Sequence, residues 1–236
     1  MKKLQVLLAI AAASLLMTTC GLPASVEEAP EPMPASAVFP ENLRSLRIAI
    51  DPGHGGIDHG AIGTDTGVYE STLNLEISEL IAKKFMLAGA DVLLTRKSAD
   101  VDYTGEGDTL KRKDMNSRAR LIAAQAPHVV VSIHMNKYPN RRLSGSQVFY
   151  EKGSAEGEKL AVCIQDELNA GLDGSKKRLA KPGDYFILKA SDSPSVIVEC
   201  GFLSNHDEEK KLLDPKYREK LADCIYRGIC AYLGVQ

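Results

Sequence analysis

The chain has no tryptophan, no Cys-x-x-C pair, no internal repeat and, beyond its N-terminus, no apolar run long enough to span a bilayer. The missing cysteine pairs argue against a cysteine-based zinc site. The missing long apolar run argues against a membrane-spanning domain. Charge of one sign is also scarce. The net charge is -2, and loss of Lys2 and Lys3 with a cleaved leader would make it about -4, the wrong sign for a protein built to bind nucleic acid. Neither G-x-G-x-x-G nor the Walker spacing occurs, which argues against a phosphate loop. What remains is an ordinary globular balance, 44% hydrophobic and 25% charged. A length of 236 residues suits one domain with appendages and leaves ample chain for a core.

The N-terminus differs from the rest. Lys2 and Lys3 precede a nearly continuous apolar stretch from Leu4 to Met17, the pattern of an export signal. It ends in Met17-Thr18-Thr19-Cys20-Gly21, which resembles a bacterial lipoprotein signal in which Cys20 would be lipidated after cleavage. Met17 and Thr19 depart from the usual pattern, so an uncleaved anchor or ordinary secretion stays open. Each version puts the folded part outside the cytoplasmic membrane, and the lipidated and uncleaved versions add membrane association through the N-terminus. Residues 21–43 are rich in Pro, Ala, Ser and Glu, cannot bury enough surface to fold, and read as a tether. The division is therefore signal 1–20, tether 21–43 and folded domain 44–236. Four further cysteines, Cys163, Cys200, Cys224 and Cys230, are read as buried free thiols, although spacing alone leaves disulfides open.

The domain is organised around Arg47-Ile48-Ala49-Ile50-Asp51-Pro52-Gly53-His54-Gly55-Gly56. A short strand runs into a proline and glycine turn, leaving the His54 imidazole at the strand's end, where α/β sheets usually place their chemistry. Leu73, Ile77, Leu80, Ile81 and Phe85 then mark a helix that Ser71 or Thr72 would cap and Gly89 would end. That places Glu70 just ahead of the helix or in its first turn, where an acid is also favoured simply by the helix dipole. A strand over 90–95, a polar loop over 98–113 and a helix over 115–125 follow. The β-branched run 129–133 predicts a buried strand ending at His134, with His128 at its opposite end as a structural or exposed residue. Further strands are expected at 147–150, 185–188 and 195–200, and helices at 155–171 and 217–233. Alternating strands and helices make the class α/β with a largely parallel sheet.

His54, His134 and Glu70 thus occupy comparable places. Two histidines and one carboxylate are a standard catalytic zinc shell that leaves the fourth position to water and lowers that water's pKa to about 7. Glu199 ends an otherwise apolar strand, a costly place for a charge unless it is paired or catalytic, and suits a general base. Each residue has a structural explanation on its own; the coincidence of four is what points to a site.

Ile-Asp-Pro-Gly-His-Gly-Gly, Glu70 before Asn74-Leu75, Ser132-Ile133-His134-Met135-Asn136, and Val198-Glu199-Cys200-Gly201-Phe202-Leu203-Ser204-Asn205 resemble the zinc-dependent N-acetylmuramoyl-L-alanine amidases in motif order. The resemblance covers 46–233 and implies one zinc ion held by His54, Glu70 and His134, with Glu199 as the catalytic glutamate. It also implies a single three-layer α/β domain with about six strands, acting on peptidoglycan. Residues 112–120, 143–150 and 176–181 are similar to the sporulation-type amidases that prepare spore cortex, an activity leading to muramic lactam. His59, Cys200 and the lipidation signal depart from the family pattern; His59 would be the competing ligand. Two other readings stand beside this one: a zinc peptidase of carboxypeptidase type, with Arg118 as its carboxylate anchor, and a non-catalytic wall-binding protein. An accessory protein partner is compatible with all of them. The interval from His134 to Glu199 offers no second apolar helix to plug the site.

Overall fold

A computed structural model describes residues 41–172 and 176–235; the expected signal and nearly all of the tether lie outside the described residues. The packed chain reaches back to Leu43, which lies in a short 3-10 helix (Glu41–Ser45) and is buried in the core.

Six strands form one sheet in the order β2-β1-β3-β6-β4-β5. These are β1 (Arg47–Pro52), β2 (Asp91–Leu94), β3 (Val129–Asn136), β4 (Gln147–Glu151), β5 (Lys181–Gly183) and β6 (Ser195–Phe202). Strands β2, β1, β3 and β6 run parallel; β4 is antiparallel to β6 and parallel to β5. The mostly parallel α/β sheet expected from the sequence is the one observed. Its central strands are near-continuous apolar runs because both faces are covered there.

One face carries most of the core. Helices α1 (Glu70–Leu87) and α3 (Ala155–Gly171) pack on it, and α5 (Pro215–Leu233) packs against both. In α1, Leu73, Ile77, Ile81 and Phe85 recur every four residues and are fully buried, so Phe85→Ala would cost about 3–5 kcal/mol. Helices α3 and α5 meet backbone to backbone at Gly228, where an added Cβ would lie 2.5 Å from the Ile164 Cα. Among the described residues, the other face carries only α2 (Leu110–Gln125), over β1, and a second 3-10 helix (Phe186–Lys189), over β6 and β4. Its smaller apolar cluster is Ala49, Ile122, Val130, Ile187, Leu188 and Ile197. Alternation along the strands puts Asp51, Ser132, His134, Glu199 and Gln147 on this second, thinly covered face.

Three elements differ from the sequence reading. Helix α2 starts at Leu110, not 115, with the Thr109 hydroxyl accepting from the Arg112 amide at 3.1 Å. Its buried side is largely polar (Asp114, Ser117, Arg118), so no apolar period announced it. The strand expected at 185–188 is the 3-10 helix Phe186–Lys189, and the edge strand lies earlier, at β5. Four consecutive apolar or aromatic residues carry no period that separates the two forms. A short helix, α4 (His206–Leu213), follows β6 in a stretch to which the sequence reading assigned no element. Asn205 caps it by accepting from the Asp207 and Glu208 amides at 3.0 and 3.1 Å. The four described cysteines are free, and Cys163 is the one only half-buried.

Candidate metal centre

The site starts where β1 ends. The Gly53 amide donates to the Ile133 carbonyl at 3.0 Å, and the chain then turns through His54 with φ 61° and Gly55 with φ 134°. A histidine in the left-handed region stores about 1–3 kcal/mol of strain, which the surrounding contacts must hold in place. Gly53 is needed for the approach of the second histidine, since a Cβ there would fall 2.2 Å from the His134 ring. Arg96, buried just after β2, fixes the turn by donating to the carbonyls of Pro52, Gly53 and Ser71 at 3.1, 3.1 and 2.7 Å.

Glu70 is the first residue of α1, as the sequence suggested, although no side chain caps the helix. Its Oε2 accepts from the Ala61 amide at 2.6 Å, and its Oε1 accepts from the Met135 amide at 3.0 Å and Asn74 Nδ2 at 3.3 Å. The same Oε1 faces His134 Nδ1 at 3.0 Å and His54 Nε2 at 3.3 Å. The two rings stand edge-on, 4.9 Å between centroids. One donor atom from each of His54, Glu70 and His134 lies within 4.8 Å of the others. Burial raises the Glu70 pKa, but hydrogen bonds from His134 and His54 outweigh it and hold the carboxyl well below its usual range.

The far nitrogen of His54, Nδ1, faces Asp58 Oδ2 at 3.0 Å, and Lys111 Nζ reaches the same oxygen at 2.9 Å. Burial lowers the His54 pKa, yet Asp58 and Glu70 together raise it to about 9. The donor set fits zinc: two imidazoles and one carboxylate converge, and a second carboxylate orients one imidazole from behind.

Glu199 sits opposite His134 in the β3–β6 register. The residue is half-buried, and its Oε2 is sealed and has no hydrogen-bond partner among the described residues. Burial raises its pKa; His134 lowers it and Glu70 raises it again, leaving it at about 7. A carboxyl so placed gains or loses a proton near neutral pH, as a general acid–base group must.

Beneath the site, Asp51 is fully buried and accepts from Thr95 Oγ1 and Ser132 Oγ at 2.6 Å each and from Arg118 Nη1 at 3.1 Å. Arg118 also reaches Asp114. Two carboxylates thus already meet this guanidinium, which removes it as the free anchor of a carboxypeptidase. Above the site lies a cleft of about 170 Å³, lined in part by Lys111, Met115, Tyr185 and Phe186. Among the described residues, no histidine, cysteine or carboxylate from 137–195 joins the three donors.

The four residues singled out in the sequence, His54, Glu70, His134 and Glu199, all meet at one end of the sheet. His59 does not join them: its ring stacks on Tyr69, 4.1 Å between centroids and 9° from parallel. His128 is structural, its Nδ1 accepting from the Arg47 amide at 3.0 Å. Asp58, Arg96 and Lys111 were missed. Only Asp58 left a signal, a carboxylate four residues after a histidine in a glycine-rich loop.

An α/β sheet that brings a His–Glu–His donor group against an unpartnered glutamate is the frame of a hydrolase. Residues 48–231 match the N-acetylmuramoyl-L-alanine amidase family, and the chain belongs to that family of peptidoglycan-cleaving enzymes. It is 36% identical over 189 residues to the germination-specific N-acetylmuramoyl-L-alanine amidase of Bacillus subtilis, covering 78% of each chain. It is 33% identical over 187 residues to the B. subtilis amidase LytC, covering 78% of this chain but 35% of that longer one. Among solved structures, the CwlD amidase from Clostridioides difficile, in complex with the GerS lipoprotein, superposes with a TM-score of 0.77. The two are 36% identical, and the match covers 80% of this chain and 99% of that one.

Proposed function

We propose that this amidase binds one zinc ion through His54, Glu70 and His134. It then cleaves the amide joining the lactyl group of N-acetylmuramic acid to L-alanine, with Glu199 carrying the proton. The observation that supports this reading is the convergence of three donor atoms within 4.8 Å of one another, facing a glutamate poised near neutrality. When bound, zinc supplies Lewis acidity for the scissile carbonyl and lowers the pKa of a coordinated water.

The chain's own groups do the rest. Glu199 accepts a proton from the attacking water as the new C–O bond forms. It returns that proton to the alanine nitrogen as the C–N bond breaks, so the products are a carboxylic acid and a free amine. Glu70, fixed by two backbone amides, keeps its position as charge shifts around it. Asp58 holds His54 in one tautomer by accepting from Nδ1, which leaves Nε2 free to bind the metal.

The similarity to the germination-specific enzyme and to CwlD supports a role in spore cortex, on the route to muramic lactam. Action outside the cytoplasmic membrane follows from the cell-wall substrate, and the export-type N-terminus agrees with it. Anchoring through Cys20 and an accessory protein partner belong to the same proposal; CwlD was solved with a lipoprotein bound. The decisive experiment treats purified peptidoglycan with the protein and measures newly freed N-terminal L-alanine. Release that a chelator stops supports the proposal. Release of C-terminal amino acids instead would favour a carboxypeptidase, and no release would favour a binding protein.

A further inference from the structure

Among the described residues, Lys111 is the lysine that lines the cleft above the site. It stands in the first turn of α2, which the Thr109 hydroxyl caps. The next residue, Arg112, fastens that turn to the 3-10 helix by holding its guanidinium 5.2 Å from the centre of the Phe186 ring. From this position Lys111 Nζ reaches Asp58 Oδ2 at 2.9 Å, the same oxygen that faces His54 Nδ1 at 3.0 Å. Among the described residues Asp58 is its acidic partner, whereas Arg118, the arginine of the cleft, is held between Asp51 and Asp114.

Asp58 does not need this lysine to stay in place. Its amide donates to the Gly55 carbonyl at 3.0 Å, its carbonyl accepts from the Gly55 amide at 2.8 Å, and its Oδ1 accepts from the Gly60 amide at 3.1 Å. The loop that carries it is tight against two of the three donors. A Cβ at Gly60 would fall 2.5 Å from Glu70 Oε2 and 2.6 Å from His54 Cδ2. The Lys111 side chain is 58% exposed, and an ion pair so open to water adds little to folding. What the ammonium changes is the charge behind His54. A carboxylate that accepts from Nδ1 strengthens an imidazole as a donor through Nε2, and an ammonium on the same oxygen opposes that effect.

We propose that Lys111 is a positioning residue of the metal centre: through Asp58 it keeps His54 a weaker donor, and so keeps a bound zinc ion more electrophilic than the rest of the site would leave it. The inference rests on the reading of His54, Glu70 and His134 as a zinc site. Along the two contacts, the imidazole ring and a metal–nitrogen bond, the ammonium stands no more than about 10 Å from such an ion. At that range a like charge in a largely aqueous setting weakens the binding of a dication about 3–10-fold at low salt. About 1 M salt, with a screening length of about 3 Å, removes the effect. The site thus gives up some affinity for its metal and gains polarising power at the scissile carbonyl and the attacking water.

The test strips the full chain of metal and titrates it with zinc against a competing chelator, at about 0.02 M and about 1 M salt. Turnover at saturating zinc is read in parallel, as L-alanine N-termini freed from a soluble muramoyl-peptide. Lys111→Met is expected to bind zinc about 3–10-fold more tightly than wild type at low salt, with the difference gone at high salt. Its kcat is expected to fall at least ~3-fold with KM unchanged. Lys111→Arg keeps the charge and is expected to keep the wild-type affinity and kcat. Lys152→Met, an exposed charge loss on the turn after β4, is expected to keep them too. Weaker zinc binding in Lys111→Met would show that the pair only holds Asp58 in place, and overturns the inference. Affinity equal to wild type, or tighter binding with kcat unchanged, overturns it as well. In each of those cases the wild type still binds zinc and frees alanine, so the amidase reading stands. A wild type that binds no zinc or frees no alanine sinks that reading, and the inference with it.

Discussion

Replacing Glu199 with glutamine should make the metal-free protein more stable, by an amount that grows as the pH rises from about 4.5 to about 7. Burial lifts this carboxyl from 4.5 to about 7 in the folded chain, whereas the unfolded chain ionises it near 4.5. Between those two values the folded state holds a proton that the unfolded state has released, so stability falls as pH rises through that window. By about pH 8 the loss is nearly complete. A shift of about 2.5 units corresponds to about 3 kcal/mol, of which about 2.5 kcal/mol accrues between pH 5 and pH 8. Glutamine keeps the shape and cannot ionise, so it escapes this loss. At about 2–4 °C per kcal/mol for a domain of this size, the Tm advantage of Glu199→Gln over wild type should grow by about 5–10 °C from pH 5 to pH 8. Circular dichroism melts of chelator-treated protein at the two pH values measure it directly. The advantage should shrink when zinc is restored, because a nearby dication stabilises the carboxylate. An advantage equal at both pH values, or a glutamine variant less stable at pH 8, would refute the reasoning.

His54→Ala and His134→Ala should each lose bound zinc and activity with the fold intact, whereas Glu199→Gln should keep its zinc while kcat falls at least ~10²-fold; metal analysis beside turnover separates the two classes. Zinc affinity should rise about tenfold per pH unit up to about pH 9, because the metal must displace the proton that Asp58 and Glu70 hold on His54. Asp58→Asn should weaken zinc binding about 10–100-fold and move the end of that rise toward pH 6.5, seen by titration with a competing chelator. A protein starting at Glu41 should be soluble and fully active, since the chain described from Glu41 onward contains the core and the site; loss of activity on cutting there would show that the leader or tether contributes.

The four candidate site residues were legible because each ends or begins an element whose own signal is strong. β-branched runs deliver His54, His134 and Glu199, and a four-residue apolar spacing delivers Glu70. What stayed hidden was polar structure. The first turn of α2 was read as loop because that helix buries Asp114, Ser117 and Arg118, and α4, which buries Glu208 and Glu209 as acceptors for backbone amides, was not assigned. Arg96 was invisible for a related reason: its work is on backbone carbonyls, which leave no trace in side-chain spacing. The 3-10 helix at 186–189 shows the opposite failure, apolar residues with no period to interpret.

The place of β6 in the sheet has a further consequence. It is the last strand in the chain, yet it lies between β3 and β4, with β5 beyond them at the edge. Until β6 inserts, β3 and β4 present open edges and the sheet exists only as two separate pieces. The same insertion delivers Glu199 to its place beside His134. A chain that folds from its N-terminus first can therefore bring His54, Glu70 and His134 together and still lack Glu199. On the proposed roles, β6 is the strand that completes the site.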